Sequence, residues 1–320
     1  MRILSGIQPS GKLHLGNYLG MMKPVLDLEQ KGESFIFIAN YHALTSVDDP
    51  ESLRLNTMDV ALDFLACGLN TDRTAFYRQS DVPEVTELMW ILSNVTPMGL
   101  LERCHSYKDK IARGLASNHG LFAYPVLMTA DILAVQSDLV PVGRDQKQHI
   151  EVARDIAMKF NNQYGEVFRI PEASIQSDAA IVPGLDGRKM SKSYGNTIDI
   201  FGDAKEVKGK IMRIVTDSKS VEEPKDPDSC NVFAFYRLLA TDEQREDMAS
   251  RYKEGGLGYG HVKKELAELF EARFAPLREK RRELAGNPGI VEDVLRRGAE
   301  RARSEAVKTL ERVRYAVGLA

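Results

Sequence analysis

The chain has 320 residues, of which 43% are hydrophobic and 28% charged, and its formal net charge at pH 7 is −3. These values are typical of a globular protein of about two domains, and they exclude a disordered chain, a fibrous protein and a generally basic surface. Three widely spaced cysteines form no CxxC pair, so neither a zinc ribbon nor an iron–sulfur cluster is expected. No signal-peptide pattern is present and no apolar run approaches the ~20 residues of a membrane span, which favours a cytoplasmic protein without a membrane segment.

The first twenty residues predict a strand, a small-residue loop and the start of a helix. An apolar run over Arg2–Ser5 indicates the strand, a Gly- and Pro-containing loop follows to Gly11, and a helical pattern opens near Gly16. Backbone N–H groups and the helix dipole make such an arrangement an anion site, and triphosphate is the ligand that fits. The loop glycines could equally serve only to turn the chain. Pro24 should kink or end the helix.

Strands and helices then alternate, which predicts an α/β fold with a doubly wound parallel sheet. The predicted strands and helices are strands Ser34–Ala39 and Thr74–Arg78, helices Asp49–Cys67, Pro83–Asn94 and Phe122–Ala134, and a strand after Asp138 that runs into a helix near His149. Ligands bind at the carboxyl ends of strands in such sheets, which places His42, Thr45 and the loop Gln79–Asp81 on the binding edge.

The helix over Phe122–Ala134 carries an aspartate where a core helix would carry Leu or Val. Tyr124, Met128 and Asp131 follow helical spacing and share one face. A buried carboxylate is costly unless a donor pairs with it, so Asp131 indicates something other than core packing.

Two basic segments could bind phosphate. The segment Lys108–Gly114 is either a solvated loop or a mobile arm whose lysines reach phosphate. The sequence Lys189-Met-Ser-Lys-Ser193 follows Gly184 and Gly187, and places two lysines and two serines on a flexible loop. A pyrophosphate group needs such positioning and charge neutralisation.

From Ala204 onward the pattern predicts only helices. They are Ala204–Thr216, Asn231–Ala240, Asp242–Tyr252, Gly260–Ala285 and Ile290–Val317. We therefore expect a Rossmann-like domain over residues 1–200 and an all-helical domain over 201–320, with a last helix able to pack back on the first domain. Lys280-Arg281-Arg282 is a basic patch in the helical part; a solvated helix face explains it as well as RNA contact does.

The segment at the start of the first predicted helix and the second of the two basic segments match the two signatures of one family. His14-Leu-Gly16-Asn17 has the spacing of the His-x-Gly-His signature of class I aminoacyl-tRNA synthetases, with Asn17 in place of the final histidine, and Lys189–Ser193 is their second signature. With the blocks Gly6–Gly11, His42–Thr45, Ala130–Leu133 and Val140–His149, the chain resembles the bacterial tryptophanyl-tRNA synthetases over essentially its whole length.

The resemblance implies activation of L-tryptophan with ATP to tryptophanyl-adenylate and pyrophosphate, then transfer to tRNA(Trp). The carboxylate of the amino acid attacks the α-phosphate, so no protein nucleophile is expected. The catalytic residues that it implies are His14, Asn17, Lys189, Ser191 and Lys192, with Lys108 or Lys110 helping. Mg²⁺ is expected with ATP, without protein side-chain ligands. A homodimer is expected, and the helical domain is expected to read the anticodon.

The resemblance also assigns two binding sites. The residues implied for ATP are Gln8, Ser10, Gly11, His14, Gly16, Asn17, Gly143, Asp145, Gln146, Ile181, Lys189, Met190, Ser191 and Lys192. Those implied for tryptophan are Leu4, Gly6, Gln8, His42, Tyr124, Met128, Asp131, Val140, Val142 and Gln146, with Asp131 accepting the indole N–H. Three alternatives stay open: a tyrosyl-tRNA synthetase, a catalytically inactive tRNA-binding paralogue, and a nucleotidyltransferase acting on a small molecule.

Overall fold

The computed structural model describes residues 1–104, 107–108, 118–143, 146–175 and 182–320. The chain forms two compact units: the first comprises Met1–Gly11, Val25–Asp178 and Asn287–Ala320, and the second comprises Lys12–Pro24 and Ala179–Gly286. This division differs from a single cut after residue 200, because both signature segments lie in the second unit and the last helix lies in the first. The assignment of the helical part to tRNA remains a prediction.

A parallel five-stranded sheet is the centre of the first unit. Its strands are β1 Arg2–Ile7, β2 Glu33–Ile38, β3 Thr74–Arg78, β4 Leu139–Val142 and β5 Glu172–Ile175, in the spatial order β3-β2-β1-β4-β5. The doubly wound parallel fold is therefore confirmed. The strand order reverses between β1 and β4, which is where such sheets bind ligands at their carboxyl ends. The edge strand β5 was not predicted, since its four residues, Glu-Ala-Ser-Ile, carry no sustained apolar run.

Thirteen described α-helices accompany the sheet. They are α1 Leu15–Asn17, α2 Lys23–Leu28, α3 Asn40–Ala43, α4 Pro50–Ala66, α5 Glu84–Ser93, α6 Met98–Glu102, α7 His119–Ala134, α8 Lys147–Tyr164, α9 Ala204–Met212, α10 Asn231–Leu239, α11 Asp242–Glu254, α12 Tyr259–Ala285 and α13 Pro288–Val317. A π-helical segment, Tyr18–Met22, separates α1 from α2, just before Pro24, where the sequence predicts a kink or an end. Among the described helices, none is long and apolar enough to cross a membrane.

The register of the strands aligns large side chains on one face of the sheet. Leu4 pairs with Phe35, and Phe37 pairs with Tyr77 on the next strand. These residues and Val140 are buried in one hydrophobic core with residues of α5, α7 and α8. The core therefore fixes α7, which carries Asp131, against the sheet.

Helix α12 is the longest element of the second unit, and other helices of that unit pack against it. Helices α9 and α10 both contact α12. Phe274 of α12 is fully buried and meets the Tyr18 ring edge-on, with 5.2 Å between the ring centroids. This contact anchors the segment that follows His14 to the helical scaffold of the unit.

In the first unit, α13 packs closely along β3 at Gly298, and this contact generates a stability prediction. A Cβ atom on Gly298 would lie 1.9 Å from the carbonyl oxygen of Phe76, so an alanine must push the helix away from the strand. We expect Gly298→Ala to lower the free energy of unfolding by about 1–3 kcal/mol, the usual cost of overpacking, in urea denaturation.

The matched control is Gly289→Ala in the same helix, where a Cβ atom meets nothing within 4 Å. It should leave the stability unchanged or raise it by roughly 0.5–1 kcal/mol, because alanine restricts the unfolded chain. Equal stability changes in the two variants would contradict the close approach at Gly298.

Candidate active site

In the second unit, the segment around His14 is hydrogen-bonded to the stretch that follows Lys189–Ser193, which we call the lysine loop. Leu15 N–H donates to the Ile198 carbonyl oxygen over 2.9 Å, and His14 forms an isolated antiparallel bridge with Asp199. The two signature segments, far apart in sequence, therefore lie together.

His14 is the N-cap of α1 and its protonation is set by its contacts. Its Nδ1 accepts the backbone N–H of Asn17 over 3.2 Å, so the neutral ring carries its proton on Nε2 and presents a donor there. The residue is buried, and burial together with the positive charge of Lys192 lowers the pKa of His14 to about 4. A neutral histidine is a hydrogen-bond donor to phosphate oxygens without being a counterion.

Asn17 completes a capping box with His14 and keeps a donor available. Its Oδ1 accepts the backbone N–H of His14 over 3.4 Å, which leaves Nδ2 as the outward group. Within the described part of the chain, that nitrogen donates to no protein acceptor. Asn17 can therefore offer a hydrogen bond where the usual signature has a second histidine.

The lysine loop is held by a buried methionine and a buried asparagine. Met190 is 4% exposed, and its Sδ accepts the Gly16 N–H over 3.3 Å. Asn196, 3% exposed, accepts the Ser191 N–H on Oδ1 over 2.8 Å and donates to the Lys189 carbonyl oxygen over 3.2 Å. These contacts fix the backbone of the loop while Lys189 and Lys192 remain exposed to solvent.

Gly16 is needed for space at this junction. A Cβ atom at Gly16 would lie 3.0 Å from two atoms of the His14 ring and 3.5 Å from Met190 Cβ. Ser191 and Ser193 share a hydrogen bond of 2.8 Å between their hydroxyl oxygens. The second unit thus combines two cations, neutral donors and short hydroxyls, a set suited to a polyphosphate.

In the first unit, the carboxylate of Asp131 is buried and already receives two protein donors. Gln79 Nε2 lies 2.9 Å from both carboxylate oxygens, and His42 Nε2 lies 2.9 Å from Oδ2. Burial raises the pKa of Asp131, and the hydrogen bonds from His42 and Gln79 oppose that rise. No motif singled out Gln79; its position directly after β3 was the only signal.

The polar end of this site is a chain of three side chains. The Tyr124 hydroxyl lies 2.5 Å from His149 Nε2, and His149 Nδ1 lies 3.1 Å from Gln146 Oε1. Since Oε1 can only accept, Nδ1 carries the proton and Nε2 of a neutral ring accepts from Tyr124. The Gln146 amide nitrogen, the other end of that amide, is a group that can donate to an anion. His149 was not among the predicted site residues.

Of the residues predicted to bind tryptophan, Leu4, Gly6, Val140 and Val142 lie on strands β1 and β4, and Tyr124, Met128 and Asp131 lie on α7. Gln8 follows β1, His42 lies on α3 and Gln146 lies at the start of α8. Leu4 and Val140 are fully buried in the core, whereas Met128 and Val142 are half-buried and pack against it. The Phe37 ring covers Gly6, where a Cβ atom would lie 2.5 Å from the ring. Gly6 must therefore stay without a side chain.

The remaining predicted residues fall in two groups. In the first unit, the loop after β1 carries Gln8 and Ser10, both exposed, and Gly11, whose φ of +89° requires glycine, while Gly143 is exposed after β4 and Lys108 is exposed. Lys110, Asp145 and Ile181 lie outside the described residues.

No group of three His, Cys, Asp or Glu side chains that could hold a metal ion occurs among the residues that the structure describes.

The protonation of His14 gives a direct prediction. Because burial lowers its pKa to about 4 against an ordinary value of 6.5, the ring should stay neutral above about pH 5. A histidine-labelled NMR titration should show one resonance with a midpoint near 4, and that resonance should be missing in His14→Gln. A midpoint near 6.5 for the same resonance would contradict the buried, neutral ring.

Comparisons with known proteins agree with one another. Residues 1–275 match the family model described as "tRNA synthetases class I (W and Y)". The chain is similar to the tryptophan–tRNA ligase of Rhodopirellula baltica, 53% identical over 319 residues, with 100% of each chain covered. Its fold matches the tryptophanyl-tRNA synthetase of Campylobacter jejuni complexed with ADP and tryptophan, with a TM-score of 0.95, 51% identity and full coverage of both chains. It also matches the Mycoplasma pneumoniae tryptophanyl-tRNA synthetase, with a TM-score of 0.82, 29% identity, and 100% and 98% coverage.

Proposed function

The chain belongs to the class I tRNA synthetases for tryptophan and tyrosine, and from this premise we propose that it is a tryptophan–tRNA ligase. It activates L-tryptophan with ATP, giving tryptophanyl-adenylate and pyrophosphate, and then transfers tryptophan to tRNA(Trp). The observation that carries this proposal is the buried carboxylate of Asp131, an acceptor placed on a core helix. Relatives with 51% and 53% identity over the whole chain are tryptophan–tRNA ligases, which favours tryptophan over tyrosine as the substrate.

Amino-acid selection follows from the chemistry of a buried acceptor. The indole N–H donates a hydrogen bond to Asp131. A ligand without that donor leaves the buried carboxylate without this hydrogen bond and therefore binds less well. At the polar end, the Gln146 amide nitrogen donates to the substrate carboxylate, and the Tyr124 hydroxyl oxygen, oriented by His149, accepts from the ammonium group. Helix α7 thus contributes to both ends of the amino acid, through Asp131 and Tyr124, and the start of α8 contributes Gln146 to the polar end.

The nucleotide is handled by donors and cations rather than by a protein nucleophile. His14 and Asn17 donate to ATP phosphates, while Lys189 and Lys192 neutralise the charge that moves to the leaving pyrophosphate. Ser191 adds a hydroxyl donor, and the backbone N–H of Ser191 is held by Asn196. The acceleration comes from positioning and electrostatics.

We propose that Mg²⁺ accompanies ATP. The described residues around His14 and the lysine loop are mainly lysines, amides and hydroxyls, which suit phosphate, and Asp199 beside His14 belongs to no group of three possible metal ligands among the described residues. Mg²⁺ characteristically binds substrate phosphates and water in such sites. When bound, it supplies further neutralisation of the phosphates, and the protein's contribution remains the orientation of those phosphates.

The tRNA is proposed to bind the helices α9 to α12. The basic patch Lys280-Arg281-Arg282 is weaker than its sequence indicates, because Lys280 pairs with Glu283 over 3.2 Å and Arg282 pairs with Glu279. Arg281 lies over the Phe201 ring, 5.3 Å from its centroid. Two of the three positive charges are therefore partly neutralised within the helix, and the patch offers little net attraction for RNA.

We propose a homodimer formed through the first unit. Large apolar side chains are exposed there on the described surface: Trp90 at 72%, Met98 at 63%, Leu55 at 61% and Leu44 at 58%. Exposed tryptophan and methionine side chains are enriched at interfaces. A tRNA-charging enzyme acts where translation takes place, so we propose the cytoplasm as its location.

Amino-acid-dependent ATP–pyrophosphate exchange tests the proposed function. Tryptophan should support exchange and tyrosine should not, because the phenol carries its donor, a hydroxyl, at a different position on the ring from the indole N–H. Charging of tRNA(Trp) with tryptophan should follow in the same preparation. Exchange with tyrosine alone would assign the protein to the sister enzyme, and tRNA binding without any exchange would identify an inactive paralogue.

The role of the lysine loop is tested by Lys192→Ala. We expect the rate of adenylate formation to fall by about 100-fold or more with little change in tryptophan affinity, since Lys192 acts as charge develops on the leaving group. Pre-steady-state exchange and equilibrium tryptophan binding separate the two quantities.

The matched control is Lys205→Ala, which removes an exposed lysine from the first turn of α9. It should alter neither quantity. Equal losses of rate and tryptophan affinity in Lys192→Ala would indicate a structural lysine instead.

A further inference from the structure

We propose that Gln79 is a positioning residue that fixes the Asp131 carboxylate and thereby sets the enzyme's preference for ligands that carry a ring N–H. The inference deepens the proposed function and rests on it. Gln79 is 1% exposed and lies at the start of a single 3₁₀ turn, Gln79–Asp81, directly after β3. It reaches across to α7, where Asp131 is itself 4% exposed.

The orientation of the Gln79 amide follows from its other partner. Its Oε1 accepts the backbone N–H of Tyr41 over 3.0 Å, so the nitrogen must be the end that faces Asp131. A flipped amide would set two donors against each other at Tyr41 and two acceptors against each other at Asp131. Gln79 is therefore a donor to the carboxylate in the only arrangement that satisfies both ends.

The turn that carries Gln79 is also tied in place. Ser80 N–H donates to Asn40 Oδ1 over 3.0 Å, and Asn40 Nδ2 donates to the Ser80 hydroxyl over 2.8 Å. This reciprocal pair joins the turn after β3 to the start of α3, the helix that carries His42. Both donors to Asp131 are thus mounted on one connected piece of backbone.

Counting the acceptor sites of the carboxylate identifies the oxygen that faces the ligand. Two carboxylate oxygens offer about four lone-pair directions. Gln79 Nε2 approaches both oxygens at 2.9 Å, whereas His42 occupies Oδ2 only. Oδ1 therefore has the larger remaining capacity, and it is the oxygen that accepts an N–H from the ligand.

The two donors do different work. The His42 ring nitrogen can donate or accept, depending on the tautomer, whereas the Gln79 amide nitrogen can only donate. Burial raises the pKa of Asp131 and favours the carboxylic acid, which would present its own proton to the ligand instead of a lone pair. The Gln79 donor opposes that change, so its loss should weaken N–H recognition specifically.

The test compares two ligands in a Gln79→Met variant, which keeps the length of the side chain and removes the donor. The probes are tryptophan and β-(benzothiophen-3-yl)alanine, in which sulfur replaces the ring N–H. We expect the ratio of their kcat/KM values in ATP–pyrophosphate exchange to fall by about tenfold, the scale of one hydrogen bond to a buried charged group. The loss should fall on tryptophan and leave the sulfur analogue nearly unchanged.

A double-mutant cycle distinguishes positioning from general damage. In an Asp131→Asn background, Gln79→Met should change the ratio by less than about twofold, because the carboxylate on which it acts is gone. The matched control is Gln136→Met, which removes another buried glutamine of the first unit, hydrogen-bonded to Val167 and Arg169. This control should leave the ratio unchanged.

Two outcomes would overturn the inference: an unchanged ratio in Gln79→Met, or an equal loss for both ligands in both backgrounds. If Gln79→Met does not fold, as judged by circular dichroism melting, Gln79→Asn gives the same comparison, since the shorter amide cannot span Tyr41 and Asp131. Failure of the proposed function is distinct, because the unmodified protein would then show no exchange with tryptophan.

Discussion

A buried carboxylate on a core helix is the constraint on which the amino-acid site depends. Asp131 sits on α7 among apolar neighbours, and its desolvation is offset by donors from the turn after β3 and from α3. Because those donors come from the carboxyl ends of β2 and β3, the sheet itself sets the geometry of the acceptor. In the proposed function, a ligand with a ring N–H adds one more donor to this preorganised carboxylate.

The second unit carries the positive charges and neutral donors that we assign to the nucleotide. A nucleotide needs positive charge that can follow its phosphates, so Lys189 and Lys192 are exposed while the backbone between them is held by Met190 and Asn196. His14 serves the same end without charge, because burial keeps its ring neutral. Buried neutral donors and exposed cations are thus supplied by two segments that hydrogen-bond to each other.

Much of the fold could be predicted from periodicity and from residues at the ends of elements. Thr74–Arg78 is a strand over the predicted range, and α4 begins after the N-cap Asp49 as the Asp-Pro pair indicates. The strand β5 was not predicted, because it is a strand through its pairing with β4 and not through an apolar pattern. The last helix was expected to be able to pack back on the first domain, as α13 does on β3, but the grouping of Lys12–Pro24 with the second unit was not expected, because no local pattern encodes such a contact between distant segments.

The sequence analysis could name candidate site residues where a residue type conflicted with its surroundings or matched a signature. Asp131 was such a conflict, and His14 and Lys189–Ser193 matched signatures. Gln79 was placed only on the binding edge and His149 only in a matched block, and neither received a role, because their side-chain partners lie 52 and 25 residues away in the chain. Only the folded structure brings such pairs together.

The central claim is that Asp131 accepts the ring N–H of bound tryptophan while Gln79 stays in place. A crystal structure of the tryptophan complex tests it most directly. The indole nitrogen should lie within hydrogen-bond distance of Asp131 Oδ1, about 2.7–3.2 Å, with the contact from Gln79 Nε2 to the carboxylate retained. An indole nitrogen bonded to another group, or a ring seated away from α7, would contradict the account.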